Sequence, residues 1–434
     1  MPSATRGIAV QSTSTIGGDD DDATGGSHRE QVATGGLFAV LGPGLLAGLS
    51  DDDPTGITTY SILGADHGYK HLWVLVIATA MLILYHAIAV RLGAVTGQGL
   101  AGLVRERYGV RAALALTTVL VVANLGTTAA EFAGIASALD LAGIPRAASV
   151  PIAAVGVSRL VIGAQFKRIE HVLLALAATL VAYVLAGSLA GPDWAAAARG
   201  SVVPSLSLGR TEVLVITATV GTTIAPWGLA FIQSYAVDKR LRPQDLALER
   251  IDITAGAILT GVIGFFVVIA CAATLHATGR SITDARDAAV ALEPLAGAWS
   301  ARLFGAGLLG AALLAVAIVP LSTAYSVAET FGTVSRLDDH FGEARLFYGT
   351  YLAMMAVAGV IVLIPAVPLV PVLYLSQALN AVLLVPLLVV LNRLSSDEEL
   401  MGDHASTETV RVLSWAATLV LIACVVALAV VSLS

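Results

Sequence analysis

Three consecutive aspartates, Asp51, Asp52 and Asp53, stand in the middle of an otherwise apolar stretch, LLAGLSDDDPTGITTYSILGA. At a bilayer centre each such carboxylate costs about 2.5–3.5 kcal/mol on an insertion scale, so the three should face a cavity or a partner. Pro54-Thr55-Gly56 follows at once. A second stretch, VLVITATVGTTIAPWGLAFIQSYA, repeats the Pro-x-Gly pattern as Pro226-Trp227-Gly228. The two prolines lie 172 residues apart, as do the two glycines. Proline removes a backbone donor and clashes with the preceding turn, and glycine tolerates non-helical backbone. Each stretch is therefore expected to be a broken helix, interrupted at Pro54 and at Pro226 and Gly228, with carbonyls and amides left free. Two unrelated proline kinks, or a re-entrant pair over 37–50 and 57–65, are the plainer alternatives. Unwound backbone at membrane depth persists only where it lines a cavity or is covered by protein. Carboxylates beside freed carbonyls make a hard-cation site. Thr55, Thr222, Thr223 and Gln377 add oxygen without sulfur or imidazole, a donor set that suits Mg²⁺, Ca²⁺ or Mn²⁺. Mg²⁺ gives up its waters reluctantly, so a roomy polar cavity suits it best.

Such a site needs helices to hold it, and the composition supplies little else. Of 434 residues, 57% are hydrophobic and 13% charged, with a mean hydropathy of +0.84. A soluble domain carries about 25% charged residues. The balance excludes a disulfide scaffold, because Cys271 and Cys424 both lie in apolar runs. A net charge of −7 without a basic block argues against nucleic acid. Eleven apolar spans are expected near 37–65, 72–94, 111–139, 149–166, 169–190, 212–236, 252–277, 302–330, 346–364, 367–391 and 410–433. Five spans per half, the first of each half interrupted, is the pattern of an inverted-repeat transporter. The expected divisions are a disordered cytoplasmic tail over 1–35, a first repeat over 36–190, a second over 211–391, and a loop with an eleventh helix over 392–434. The tail carries the acidic run Asp19–Asp22 and lacks the apolar core of a signal peptide. Sixteen of the 24 lysines and arginines fall on the side of the N-terminus and seven on the other, with Arg159 inside the fourth span. That bias predicts a multi-pass protein of the cell membrane with its N-terminus in the cytoplasm and its C-terminus outside. Trp194 and Trp299 fall where interfacial anchors would sit.

At the same residues the chain resembles a known family. GPGLLAGLSDDDPTGITTYSILGADHGYKHLWVL, VRLGAVTGQGLAGLVRERYG, TTAAEFAGIASAL, TIAPWGLAFIQS and LSQALNAVLLVPLL follow the order and spacing of the Nramp divalent-metal transporters. The resemblance implies an all-α integral membrane protein of about eleven helices, a LeuT-like 5+5 inverted repeat with helices 1 and 6 broken. It also implies a divalent metal ion as substrate, the lipid bilayer as surroundings and no cofactor. The departures are specific. The family's Asp-Pro-Gly-Asn is Asp53-Pro54-Thr55-Gly56 here, and its Met-Pro-His is Ala225-Pro226-Trp227. Its third-span Asp position holds Thr128, while Glu131 and the tenth-span Gln377 remain. Loss of the soft Met and of the His and Asp tied to proton movement is most similar to the Nramp-related magnesium transporter branch.

The resulting expectation is Mg²⁺ uptake, with Mn²⁺ also carried, bound partly hydrated and without proton coupling. Asp53 is the principal anionic ligand and the Ala225 carbonyl, released by Pro226, a neutral one, while Thr55, Gly56 and Gln377 shape or hydrate the site. Asp51, Asp52, Thr222 and Thr223 contribute field or water contacts. Glu131 fits either a path carboxylate or a buried packing group, and Trp227 either a cavity wall or a filler of the volume a histidine would occupy. His86 reads as a packed histidine and Glu329 as a solvated carboxylate. A proton-coupled Mn²⁺/Fe²⁺ symporter, a sodium-coupled carrier of an organic solute and a non-transporting metal sensor are the rival functions. An enzyme would need a nucleophile or a His-rich centre, and the sequence has no HExxH, GxSxG or paired-Cys motif. A monomer is compatible with all of these, and the sequence does not set the oligomeric state.

Overall fold

In hydrocarbon, an apolar run must satisfy its own backbone groups, and the α-helix does so within one segment. A computed structural model of the chain describes residues 52–163, 178–205, 209–283, 285–333 and 341–433, and these contain helices and links without a strand. In chain order the helices are α1 (Pro54–His67), α2 (Leu72–Thr96), α3 (Leu100–Tyr108), α4 (Val110–Asp140), α5 (Arg146–Ile162), α6 (Ala182–Leu189) and α7 (Trp194–Val202). They continue with α8 (Arg210–Thr223), α9 (Pro226–Asp238), α10 (Leu246–Thr274), α11 (Ser300–Phe331), α12 (Arg345–Leu363), α13 (Leu369–Ser395) and α14 (Glu408–Leu433), with single-turn segments between some of them.

Among the described residues, eight helical stretches are long and apolar enough to cross a membrane, counting α8 with α9 as one. The others of the eleven expected spans are α1, whose sequence neighbours up to Asp51 lie outside the described residues, α5, and the fifth span, of which 169–177 lie outside. At 1.5 Å per residue the 17 residues of α5 reach about 25 Å, a little short of a 30 Å hydrocarbon core. The tail over 1–35 also lies outside the described residues. Where both are described, the expected spans and the helices differ by a few residues only, as for 72–94 against Leu72–Thr96.

Two long helices, α4 and α11, pack along one another, and α13 lies against both α4 and α8. Small residues let these backbones approach. A Cβ on Gly134 of α4 would lie 2.4 Å from the Cβ of Pro54, and one on Gly221 of α8 would lie 2.0 Å from the carbonyl oxygen of Gln377. These two approaches bring the start of α1 to α4 and the end of α8 to α13. Helix α14 stands at the margin and is held by a polar knot. Tyr85 Oη donates to the Ser414 carbonyl at 2.6 Å and is 2.7 Å from Thr418 Oγ1, to which Asn392 Nδ2 donates at 2.9 Å. The outer face of α14 exposes Val412, Leu419, Val426 and Val430, as a lipid-facing helix would.

The stray polar and aromatic residues find ordinary places. Arg159 is exposed in the last turn of α5, where its long stem can carry the guanidinium toward the interface. Trp194 and Trp299 are largely exposed beside the helix starts of α7 and α11. Cys271 is buried, Cys424 half-buried, and both are free thiols. His86 is buried in α2.

Candidate metal centre at the helix breaks

Proline is best placed at the first position of a helix, where its missing N–H would have had no partner. Pro54 and Pro226 both take that position. The residue before proline is driven to extended backbone, and Asp53 (φ −72°, ψ 171°) and Ala225 (φ −76°, ψ 139°) are both extended. In the second break, α8 ends at Thr223, Ile224 and Ala225 are unwound, and α9 begins at Pro226. Gly56 and Gly228, expected in the unwound stretches, instead lie in the first turn of the following helices. The reason is that each helix begins on the proline itself, so the glycine two residues on is already wound.

The same geometry corrects the source of the freed carbonyl. The N–H that Pro226 lacks would have bonded the oxygen four residues earlier, that of Thr222. The Ala225 oxygen instead accepts from the Gly228 amide at 3.1 Å, which leaves it one further lone pair. Asp53 caps α1: its Oδ1 accepts from the Gly56 amide at 2.7 Å and from the Thr55 hydroxyl. Gly56 thus contributes its amide to holding the carboxylate.

Around these breaks the structure collects buried oxygen. Asp52, Asp53, Thr55, Thr222 and Thr223 are all buried, whereas Asp51 lies outside the described residues. Thr223 Oγ1 lies 2.9 Å from Tyr60 Oη, joining α8 to α1, and donates to the Thr219 carbonyl at 2.8 Å. Thr222 Oγ1 is buried with no hydrogen-bond partner. Glu131 is fully buried on α4, one turn before Gly134 and close enough to Asp53 for the two charges to interact. Its carboxyl group meets that of Asp53, the two side chains interacting directly. Two neighbouring buried carboxylates and an unpartnered hydroxyl gather negative oxygen, and a cation would balance it.

Gln377 is held by a polar chain that the sequence reading missed. Asn380 Nδ2 donates to Gln377 Oε1 at 2.9 Å and to Thr127 Oγ1 at 3.0 Å, and Gln377 Nε2 donates to Ser376 Oγ at 2.9 Å. The available signal was Asn380 one turn beyond Gln377 on the same helix face. Trp227 is buried in an apolar cluster with residues of α4, α11 and α12, and its carbonyl accepts from Ser322 Oγ at 2.8 Å. Thr128 turns its hydroxyl to the Asn124 carbonyl at 2.6 Å, a local helix bond.

Residues 44–431 match the Nramp family, described as natural resistance-associated macrophage protein-like. The chain belongs to the Nramp family. It is 26% identical over 400 residues to the divalent metal cation transporter MntH of Bacillus subtilis (strain 168), covering 89% of this chain and 91% of that protein. It is 30% identical to the divalent metal cation transporter MntH 1 of Pseudomonas aeruginosa over 405 residues, 87% of this chain and 88% of the relative. With the MntH of Acidiphilium cryptum the 30% identity spans 284 residues, 63% of this chain and 65% of the relative. Among solved structures, the Eremococcus coleocola manganese transporter superposes with a TM-score of 0.72 at 21% identity, over 90% of this chain and 87% of that one. Mhp1, a nucleobase-cation-symport-1 transporter, gives 0.54 at 16% identity over 90% and 93%. At these identities the superpositions establish the fold, the LeuT-like arrangement of helices.

A cavity of about 660 Å³ in this Nramp chain lies away from the breaks, beyond the far end of α9. Gln98, Arg105, Glu106, Ser234, Asp238, Tyr325 and Glu329 line it. Glu329, expected as a solvated carboxylate, is half-buried and bonded. Its Oε1 accepts from Ser234 Oγ of α9 at 2.6 Å, and its Oε2 from the Ala101 and Gly102 amides of α3 at 3.1 and 3.4 Å. The start of α3 offers unsatisfied N–H groups, so a carboxylate from α11 caps it.

Proposed function

We propose that this Nramp protein is a divalent-cation transporter that carries Mg²⁺, and Mn²⁺ as well, bound partly hydrated at the breaks and without obligatory proton movement. The observation that carries this reading is the donor set: Asp53, Thr55, Thr222 and Thr223 offer oxygen only, and alanine stands at position 225 beside the break. An all-oxygen pocket gives softer transition metals no sulfur or imidazole to prefer. Asp53 is the anionic ligand, the Thr222 and Ala225 carbonyls are the neutral ones, and Gln377, fixed by Asn380, orients the ion's waters. Asp52 adds field. The relatives named as divalent metal cation transporters support the class of substrate, and the choice of Mg²⁺ rests on the residues above. A membrane potential is worth about 4.6 kcal/mol per 100 mV for a doubly charged ion, twice the single-charge value, so influx needs no second driving ion. The cation bias predicts that α1 and α8 open outward and that the cavity beyond α9 faces the cytoplasm.

The test is uptake into liposomes with internal pH recorded. Mg²⁺ influx, and Mn²⁺ influx competed by millimolar Mg²⁺, both without acidification, are the expected results. Absence of any influx would remove transport and favour a metal sensor. Ala225→Met should move the preference toward softer ions, and an unchanged preference would mean that position 225 does not face the ion. One observation favours the rival symporter: Glu131 is buried directly beside Asp53, a carboxyl pair that can share or pass on a proton. Acidification in step with Mn²⁺ entry, abolished in Glu131→Gln, would establish that reading instead.

A further inference from the structure

Imidazole is absent from the breaks but not from the other end of the same half-helices. His67 closes α1, His71 precedes α2, and Glu212 lies in the first turn of α8. One ligand atom from each of these three lies within 4.8 Å of the other two. Glu212 Oε1 is 4.0 Å from His67 Nδ1 and 3.7 Å from His71 Nε2. A tetrahedral ion with ligands at about 2.0–2.2 Å holds them about 3.3–3.6 Å apart, so side-chain shifts of up to about 1 Å would close the set. The polar atoms themselves ask for a partner. His71 is fully buried: its Nδ1 has no hydrogen-bond partner among the described residues, and its Nε2 faces Glu212 Oε1 at a long 3.7 Å. Glu212 Oε2 is likewise buried and unpartnered. A buried imidazole with one unpartnered nitrogen and one long contact is poorly satisfied, and ligating a metal would recover that cost.

We propose that His67, His71 and Glu212 form a second cation site, which takes a borderline divalent transition metal of the Zn²⁺ class and clamps the end of α1 to the start of α8. Two imidazoles and a carboxylate are the ligand types that Zn²⁺ and Co²⁺ prefer over Mg²⁺. Lys70 holds the place of the ion: its ammonium pairs with Glu212 Oε1, while its side chain is 42% exposed and free to swing out. Occupancy would join two half-helices that belong to different repeats, so it would slow their relative movement. That last effect rests on the transport reading; the binding does not.

The detergent-purified full chain is titrated with Co²⁺, whose visible absorption reports nitrogen and oxygen ligation, and then with Zn²⁺ to displace it. The wild type and Asp53→Asn should both show the band, and His67→Gln and Glu212→Gln should both lose it while eluting as the wild type does on gel filtration. Lys70→Ala touches no ligand and removes the competing ammonium. An exposed ion pair is worth about 0.2–1 kcal/mol, so Co²⁺ should bind that variant about 1.5- to 5-fold more tightly. No band in the wild type, or a band that survives in both His67→Gln and Glu212→Gln, overturns the site. So does a Lys70→Ala affinity equal to or below that of the wild type. In liposomes, external Zn²⁺ should inhibit Mg²⁺ uptake by the wild type and not by His67→Gln. Intact Co²⁺ binding in a protein that moves no Mg²⁺ would refute the transport reading and leave this site standing.

Discussion

The contact between Gly134 and Pro54 gives the sharpest test of how the centre is held. In Gly134→Ala the new Cβ would lie 2.4 Å from Pro54 Cβ and 2.5 Å from Pro54 Cγ. An ordinary contact begins near 3.4 Å, so α4 and the start of α1 must part by about 1 Å. The proline ring has no rotamer by which to step aside, and the displacement passes to Asp53, its neighbour in sequence. Overpacking costs about 1–3 kcal/mol, against which alanine gains about 0.8–1 kcal/mol over glycine in a helix. The net loss should be about 0–2 kcal/mol. Gly126→Ala on the same helix is the control, because its Cβ meets only Leu379 Cδ2 at 3.8 Å and Ser376 Cβ at 3.9 Å. That variant should keep the helix gain and exceed the wild type in stability. Thermal unfolding in detergent should therefore rank Gly126→Ala, wild type, Gly134→Ala, with about 1–3 kcal/mol between the extremes. Misplacement of about 1 Å at a reacting centre costs up to about 100-fold, so uptake should fall about 10- to 100-fold in Gly134→Ala alone. Equal unfolding midpoints and equal uptake for the two alanine variants would refute the reasoning.

Asp53→Asn keeps a capping oxygen for the Gly56 amide and removes the charge, so metal uptake should vanish while the unfolding midpoint stays within about 1 kcal/mol of wild type; wild-type flux would sink the ligand assignment. Thr222→Val removes a buried hydroxyl that has no partner, and unfolding measurements should show unchanged or raised stability with weaker cation uptake. A loss of stability there would mean the hydroxyl has an unrecognised structural bond. Tyr85→Phe cuts the knot that holds α14, at a cost of about 1–2 kcal/mol, and flux assays should find the cation affinity unchanged; an altered affinity would tie that helix to the site.

Much of this was legible in the chain because hydrocarbon leaves few solutions. Runs such as Leu72–Thr96 must be helical, and a proline flanked by acids or threonines marks where a helix restarts. Asp53 was legible because a carboxylate in an apolar run has few uses. The wound state of Gly56 and Gly228 was not, since glycine suits both an unwound stretch and a first turn, and the proline decides between them. The Thr127–Asn380–Gln377 chain joins residues 253 positions apart, and each alone is an unremarked polar residue in a helix. His67, His71 and Glu212 stayed invisible for the same reason: the two histidines of one turn meet a glutamate 141 positions on only when α1 and α8 are placed side by side. Glu329 was misread because its partners include backbone amides, which every residue but proline carries.

The Glu329 carboxylate also has a kinetic meaning. It takes a hydroxyl from α9 with one oxygen and two amides of α3 with the other, while itself riding on α11. Three helices share one fastener. If α9 tilts at this end, either α3 and α11 travel with it as one rigid body, or the bond to Ser234 must part first. The fastener thus ties the fates of three helix ends to one carboxylate, and no movement of α9 at this end is independent of it.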